Sequence, residues 1–134
     1  PLVLPSPCQV ISSGTSYEKT AGYSRAVRVG KHVQVAGTTA ISPDGSGVLC
    51  AGDVEGQTQY IFHIIALALR EADCALENVV RTRMFVTNID NIKKVMAEHN
   101  KIFSVIRPAA TILVVSALVD PGLLVEIEAD ALEP

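Results

Sequence analysis

Val125-Glu-Ile-Glu-Ala-Asp-Ala131 decides the fold. Apolar side chains at 125, 127, 129 and 131 alternate with carboxylates at 126, 128 and 130, and a two-residue period puts the two sets on opposite faces of a strand. Such a strand has one face for a core and one acidic face. Asp120-Pro-Gly122 supplies the turn before it, and the run from Ala110 to Leu118 reads as a buried strand. Further back, Val79 to Thr87 keeps the same period, with Val80, Thr82, Met84 and Val86 on one side and Arg81, Arg83 and Phe85 on the other. Arg25 to Thr39 reads as a hairpin: Val27 and Val29 flank Arg28, Gly30-Lys31 breaks the pattern, and Val33 and Val35 flank Gln34. Cys8 to Ser12 fits a short edge strand with a loop through Gly22 behind it, so residues 1–20 are an N-terminal extension.

Two segments change to a helical period. Ile61, Ile64, Ile65, Ala68 and Leu69 recur at three and four between Val54 and Ala72, with Asp53 placed to cap the start. Ile92, Val95, Met96, His99 and Phe103 form a second stripe, capped by Asn88 or Asp90 and ended by Pro108. Each helix has a single apolar face, so both are expected on the same side of one mixed sheet. The order β-β-α-β-α-β-β makes this one α+β domain over residues 1–134. Its free sheet face, mixing Arg81, Arg83, Phe85, Glu126 and Glu128 with small residues, is expected to pack against copies of itself.

Composition agrees. Of 134 residues 49% are apolar and 19% charged, with mean hydropathy +0.33, which excludes a disordered chain and exceeds what one small domain hides easily. The net charge of −3 and the lack of a basic run argue against nucleic acid as a partner. Cys8, Cys50 and Cys74 are an odd set with no CxxC or Cys/His spacing, so neither a disulfide framework nor a metal site is expected. A reducing, cytoplasmic setting fits, or an organelle if a targeting segment has been removed. No apolar run reaches the ~20 residues a bilayer requires. Pro1–Pro7 lacks the charged start of a secretory leader.

Glu126 is the first candidate for proton chemistry, since burial raises a carboxyl pKa towards neutrality. The competing reading pairs Glu126 and Glu128 with Arg81 and Arg83 across strands or subunits. His99, on the apolar side of its helix, reads as a core histidine. Ala36-Gly37-Thr38-Thr39 ends a strand with residues that let a ligand approach the backbone, although Gly37 equally fits a bulge. No phosphate loop and no GxSxG is present.

Three stretches together resemble a known family. Val33-Gln-Val-Ala-Gly-Thr38, Val79-Val-Arg-Thr-Arg-Met-Phe-Val-Thr87, and Arg107-Pro-Ala109 followed by Leu118 and Leu124-Val-Glu-Ile-Glu-Ala129 are similar to the YjgF/Rid family of RidA-like reactive-intermediate deaminases, also labelled endoribonuclease L-PSP. The similarity spans about residues 20–132. It implies a chorismate-mutase-like fold and a homotrimer whose sheets form a central barrel, with small-molecule clefts between subunits. In deaminating members the cleft holds a 2-enamine or 2-imine acid. An arginine grips its carboxylate, a backbone N–H after the second strand assists, and a glutamate positions water; a 2-keto acid and ammonia result, with no cofactor.

Carried over residue by residue, the resemblance puts Glu126 at the water-positioning glutamate, Gly37 at the strand-end glycine beside Thr38, and Tyr23 at the cleft tyrosine. Ala110 falls at the arginine, Ala36 at a strand-end serine, and Met96 at a cleft asparagine. A guanidinium grip on a carboxylate contributes about 1.5–3 kcal/mol that alanine does not supply. Arg107 and Arg83 are the candidates to replace it. The expectation is therefore an arginine-lacking subgroup that binds a small, largely apolar ligand, with weak or absent 2-imino acid deaminase activity. The alternatives are hydrolysis of another imine or enamine by Glu126, or a ribonuclease or translation-inhibitor activity.

Overall fold

One mixed sheet runs through the computed structural model, which describes residues 8–134; Pro1–Pro7 lies outside them. In chain order the elements are β1 (Cys8–Ile11), α1 (Ser16–Ala21), β2 (Ala26–Val29), β3 (His32–Thr38), α2 (Val54–Glu71), β4 (Val79–Val86), α3 (Ile92–Phe103), β5 (Ala109–Val114) and β6 (Val125–Leu132). The six strands lie in the order β1-β2-β3-β6-β4-β5. The α+β class and the shared helix layer expected from the sequence are both found. The closing strand sits inside the sheet, antiparallel to β3 and β4, while β5 runs parallel to β4 after the α3 crossover.

Local chemistry sets these elements. Gly30 at φ +60 makes the tight turn that pairs Val29 with His32. Asp53 caps α2 by accepting the Gly56 N–H at 3.0 Å. Ile61, Ile65 and Leu69 of α2, Val95 and Phe103 of α3, and Val33, Met84 and Ile127 of the sheet form the buried core. His99 is part of it. Its Nε2 lies 2.9 Å from the Thr82 hydroxyl and its ring packs on Phe62 and Phe103, so it is the core histidine the sequence suggests.

Four local readings are corrected. Ser16–Ala21, read as loop, is helical: Glu18 accepts from the Ser13 N–H and from the Ser13 and Thr15 hydroxyls, and Gly22 at φ +74 closes the turn. A register shift between Val79 and Arg81 gives Val79 the core position and leaves Val80 half exposed. Asn88 caps a 3-10 turn over Ile89–Asn91 by accepting the Asp90 N–H, so neither Asn88 nor Asp90 caps α3 itself. The strand expected to be buried between Ala110 and Leu118 is the shorter β5, which has one neighbour and leaves Leu113 and Val114 half exposed.

Candidate functional site

The site is built on a second irregularity, in β3. Val35 pairs with Ala129 and Thr38 with Ile127, so Ala36 and Gly37 together occupy the interval that Glu128 alone fills on β6. The bulge returns Thr38 to the buried side and turns Gly37 under Glu126. A Cβ on Gly37 would stand 2.5 Å from the Glu126 Oε2, so glycine is what allows the carboxylate to lie there.

Glu126 looks into a cavity of about 340 Å³. One wall comes from Ser13, Thr15 and α1, another from Tyr23 and Arg25, and the rest from Gly37, the Thr39–Pro43 loop, Tyr60 and Ile64 of α2, and Val119. All three tyrosines of the chain, Tyr17, Tyr23 and Tyr60, meet here. Among the described lining residues Arg25 is the one base and Glu126 the one acid.

Burial raises the Glu126 pKa above its ordinary 4.5; the charge on Glu128 adds to this and Arg25 offsets part of it. No ion pair among the described residues uses Glu126. A half-buried carboxyl whose pKa is raised in this way can take a proton from water and return it. Arg25 is buried, with 7% exposure. Its Nη1 donates to the Gly37 carbonyl and the Thr38 hydroxyl, each at 2.8 Å, and its Nη2 donates to the Tyr23 hydroxyl at 3.4 Å. Burial raises the pKa of the Tyr60 phenol, which also lines the cavity.

The cavity brings together Tyr23, Gly37 and Glu126 of the residues singled out in the sequence. Thr38 lies behind it as an acceptor for Arg25. Ala36 lines a separate cavity of about 560 Å³ on the free sheet face with Arg83, Glu128 and Asp130. Met96 packs against the core, and Arg107 and Ala110 are exposed at the start of β5, two strands from β6. Within one chain these three stand apart from Glu126. Neither suggested substitute for the missing arginine reaches this cavity. Arg83 is tied to Glu128 at 3.4 Å and Asp130 at 3.1 Å, and Arg107, at φ +53, ends the α3 segment by donating its N–H to the Phe103 carbonyl. On the same free face Arg81 donates to Thr111 at 3.0 Å, and Phe85 lies opposite Glu126.

Arg25 was missed by the sequence reading. The available signal was the two-residue spacing of Tyr23 and Arg25 just before β2, which brings the guanidinium over the Tyr23 ring. Among the described residues no three His, Cys, Asp or Glu side chains are grouped to hold a metal ion.

A single mixed sheet, one helix layer and a mainly apolar cavity, with Glu126 the one carboxyl among its described lining residues, place this chain among small α+β proteins with a cavity beside the closing strand. Residues 14–133 match the family model described as Endoribonuclease L-PSP, and the chain belongs to that family. An uncharacterized protein of Streptomyces coelicolor is 35% identical over 121 residues, covering 90% of this chain and 89% of its own. The human 2-iminobutanoate/2-iminopropanoate deaminase is 29% identical over 125 residues, covering 93% and 90%. Among solved structures, a Mycobacterium tuberculosis member of the YjgF/YER057c/UK114 family superposes with a TM-score of 0.85 at 43% identity, covering 94% of this chain and 99% of that one.

Proposed function

We propose that this protein binds a small, largely apolar metabolite at the Glu126 cavity and that Glu126 positions water for hydrolysis of an imine or enamine. The observation that carries this reading is the Glu126 carboxyl itself: half-buried, outside every ion pair of the described residues, raised in pKa and fitted over Gly37. Glu126 accepts a proton as water oxygen bonds to the imine carbon. The same proton returns to nitrogen to give a carbinolamine, Glu126 then carries the hydroxyl proton to that nitrogen as the C=O bond forms and the C–N bond breaks, and a carbonyl compound and ammonia leave. In this reading the chain is of the arginine-lacking kind. Ala110 gives a short 2-imino acid no guanidinium on β5, so turnover of 2-iminopropanoate and 2-iminobutanoate is weak or absent.

The assembly belongs to the same proposal: a homotrimer of single-domain subunits, with Arg81, Arg83, Phe85 and Glu128 facing a central barrel. The half-exposed Leu113 and Val114 of β5 and Val119 beside the cavity support an intersubunit cleft, because they leave apolar surface where a neighbour would sit. In that cleft Met96, Arg107 and Ala110 of one subunit would meet Tyr23, Gly37 and Glu126 of another. A ribonuclease reading gains nothing from the free face, where Arg81 and Arg83 are engaged by Thr111, Glu128 and Asp130. No helix of the described residues is long and apolar enough to cross a membrane, and a cytoplasmic setting remains part of the proposal.

The test is ammonia release from 2-iminopropanoate and 2-iminobutanoate generated in situ, with wild type, Ala110→Arg and Glu126→Gln compared. Slow or no acceleration by wild type, a gain in Ala110→Arg and its loss on adding Glu126→Gln support the reading. Fast wild-type turnover that survives Glu126→Gln overturns it. Sedimentation checks the assembly, and a stable monomer at micromolar concentration refutes the trimer.

A further inference from the structure

The tyrosines of this chain are concentrated in one place. It has three, with three phenylalanines and no tryptophan, and all three tyrosines line the Glu126 cavity. Two of the phenylalanines, Phe62 and Phe103, belong to the core, where they pack on each other and on His99. The tyrosines come from separate parts of the fold: Tyr17 from α1, Tyr23 from the segment before β2, and Tyr60 from α2. On α2, Tyr60 and Ile64 are four residues apart and so share one side of the helix. Ile61 and Ile65, one position further on, are fully buried in the core, which leaves the row of Tyr60 and Ile64 half-buried at the cavity.

Size and charge narrow what fits. A volume of about 340 Å³ lies in the range of sites that enclose drug-sized ligands, which begins at roughly 300 Å³, and a short aliphatic imine leaves much of it unfilled. Aromatic walls gain most from another ring, through edge and offset contacts added to the burial of apolar area. To a carboxylate the cavity offers little. Arg25 is the one base among the described lining residues; its Nη1 is bonded to the Gly37 carbonyl and the Thr38 hydroxyl, and its Nε is sealed from solvent. A ligand carboxylate would stand unpaired beside Glu126, withdrawn from water and next to a like charge.

We propose that this cavity selects an imine or enamine that has an aromatic ring and no carboxylate, an aryl alkyl ketimine being the simplest case, and that Tyr60 is the residue that reads the ring. This rests on the Glu126 cavity being the ligand site and adds the substrate class to that reading. Hydrolysis then gives ammonia and the aryl ketone: C=N is replaced by C=O, water supplies the oxygen and both nitrogen-bound protons, and nothing is oxidised or reduced.

The test is binding of three unreactive ketones, followed by NMR chemical-shift titration. They are acetophenone, phenylglyoxylate, which has a carboxylate in place of the acetophenone methyl group, and cyclohexyl methyl ketone, whose ring is saturated. Acetophenone is expected to bind at least tenfold tighter than phenylglyoxylate and about two- to tenfold tighter than cyclohexyl methyl ketone. Tyr60→Ala is expected to weaken acetophenone about tenfold, and Tyr60→Phe to restore it. Phenylglyoxylate binding as tightly or tighter, as an Arg107 from a neighbouring subunit would bring about, overturns the proposal. So do equal affinities for the two uncharged ketones, a Tyr60→Ala variant that binds acetophenone like wild type, and no acetophenone binding at millimolar concentration. If Tyr60→Ala does not fold, the two wild-type preferences decide alone. The two readings fail separately. Ring-selective binding without hydrolysis of acetophenone imine leaves the ligand class standing and refutes the catalytic role of Glu126. Glu126-dependent imine hydrolysis with no preference for ring or charge does the reverse.

Discussion

Glu126 and Glu128 stand two residues apart on one face of β6, yet their neighbourhoods make them different groups. Around Glu128 the face is neutralised: Arg83 reaches both Glu128 and Asp130, and all three side chains are about one-third exposed, at 38%, 35% and 31%. Among the described residues Glu126 has no such partner. The bulge in β3 presents a glycine, the cavity walls are mostly apolar, and the nearest base is committed through Nη1 to backbone and threonine. Identical side chains at identical strand phase thus become a structural ion pair and a candidate proton carrier. The strand opposite each one makes the difference.

The largest test of this contrast is Glu126→Gln against Glu128→Gln. Ammonia release from an accepted imine is expected to fall by about 10²–10⁴ in the first, the range for a lost general acid or base. In the second it is expected to change by roughly fivefold or less, since exposed ion pairs contribute at most about 1 kcal/mol. Next is Gly37→Ala, whose methyl group displaces the Glu126 carboxylate. A misplacement of that size costs about 10²-fold in rate, while circular dichroism should show the fold retained.

A third test uses a buried histidine. His99 has what Glu126 lacks, a hydrogen-bond partner and tight packing, and burial lowers its pKa below the ordinary 6.5. A depressed histidine pKa means the folded state resists protonation. Stability is therefore fully present above pH 6.5 and is lost as pH falls through the folded value. Urea unfolding on either side of pH 6.5 should show this in wild type, and His99→Phe should remove that component. Thr82→Val, which strips the partner from the His99 Nε2, is expected to cost about 1–3 kcal/mol.

The smaller effects sharpen the comparison. Because burial and then Glu128 raise the Glu126 pKa, the acid limb of the pH–rate profile should lie above 4.5, and Glu128→Gln should move it to lower pH. An unmoved limb would mean that the two carboxyls do not sense each other. Arg83→Gln should change the unfolding free energy by no more than about 1 kcal/mol, because solvent screens the pairs it breaks.

Much of this was legible in the chain. The alternation from Val125 to Ala131 reports which side of β6 is buried, and the stripes at three and four report α2 and α3, because burial of one face is written into local sequence. Glu126 was legible as a candidate for the same reason, and His99 as core. The bulge in β4 was not legible. Val79 and Val80 are the same residue type, and only the pairing with β6 selects which one enters the core. Gly37 admitted a bulge in β3, and only the pairing with β6 shows that Ala36 and Gly37 share one interval of the partner strand. The helix Ser16–Ala21 was hidden by its polar composition, since its anchor is a set of hydrogen bonds to Glu18 and not an apolar stripe.

Sequence by itself determined the α+β class, the faces of the long elements and the presence of an alternating acidic face, all of which follow from periodicities of two and of three to four residues. Tertiary structure decided which charges meet. Arg25 lies 101 positions before Glu126 in the chain (126 minus 25), and no local pattern links them. They share a cavity because β3 lies between β2 and β6 and carries a bulge at Gly37. Charge pairing and the strength of a carboxyl depend on distances through space and on water excluded by neighbours. Those quantities exist only once the strands are in register.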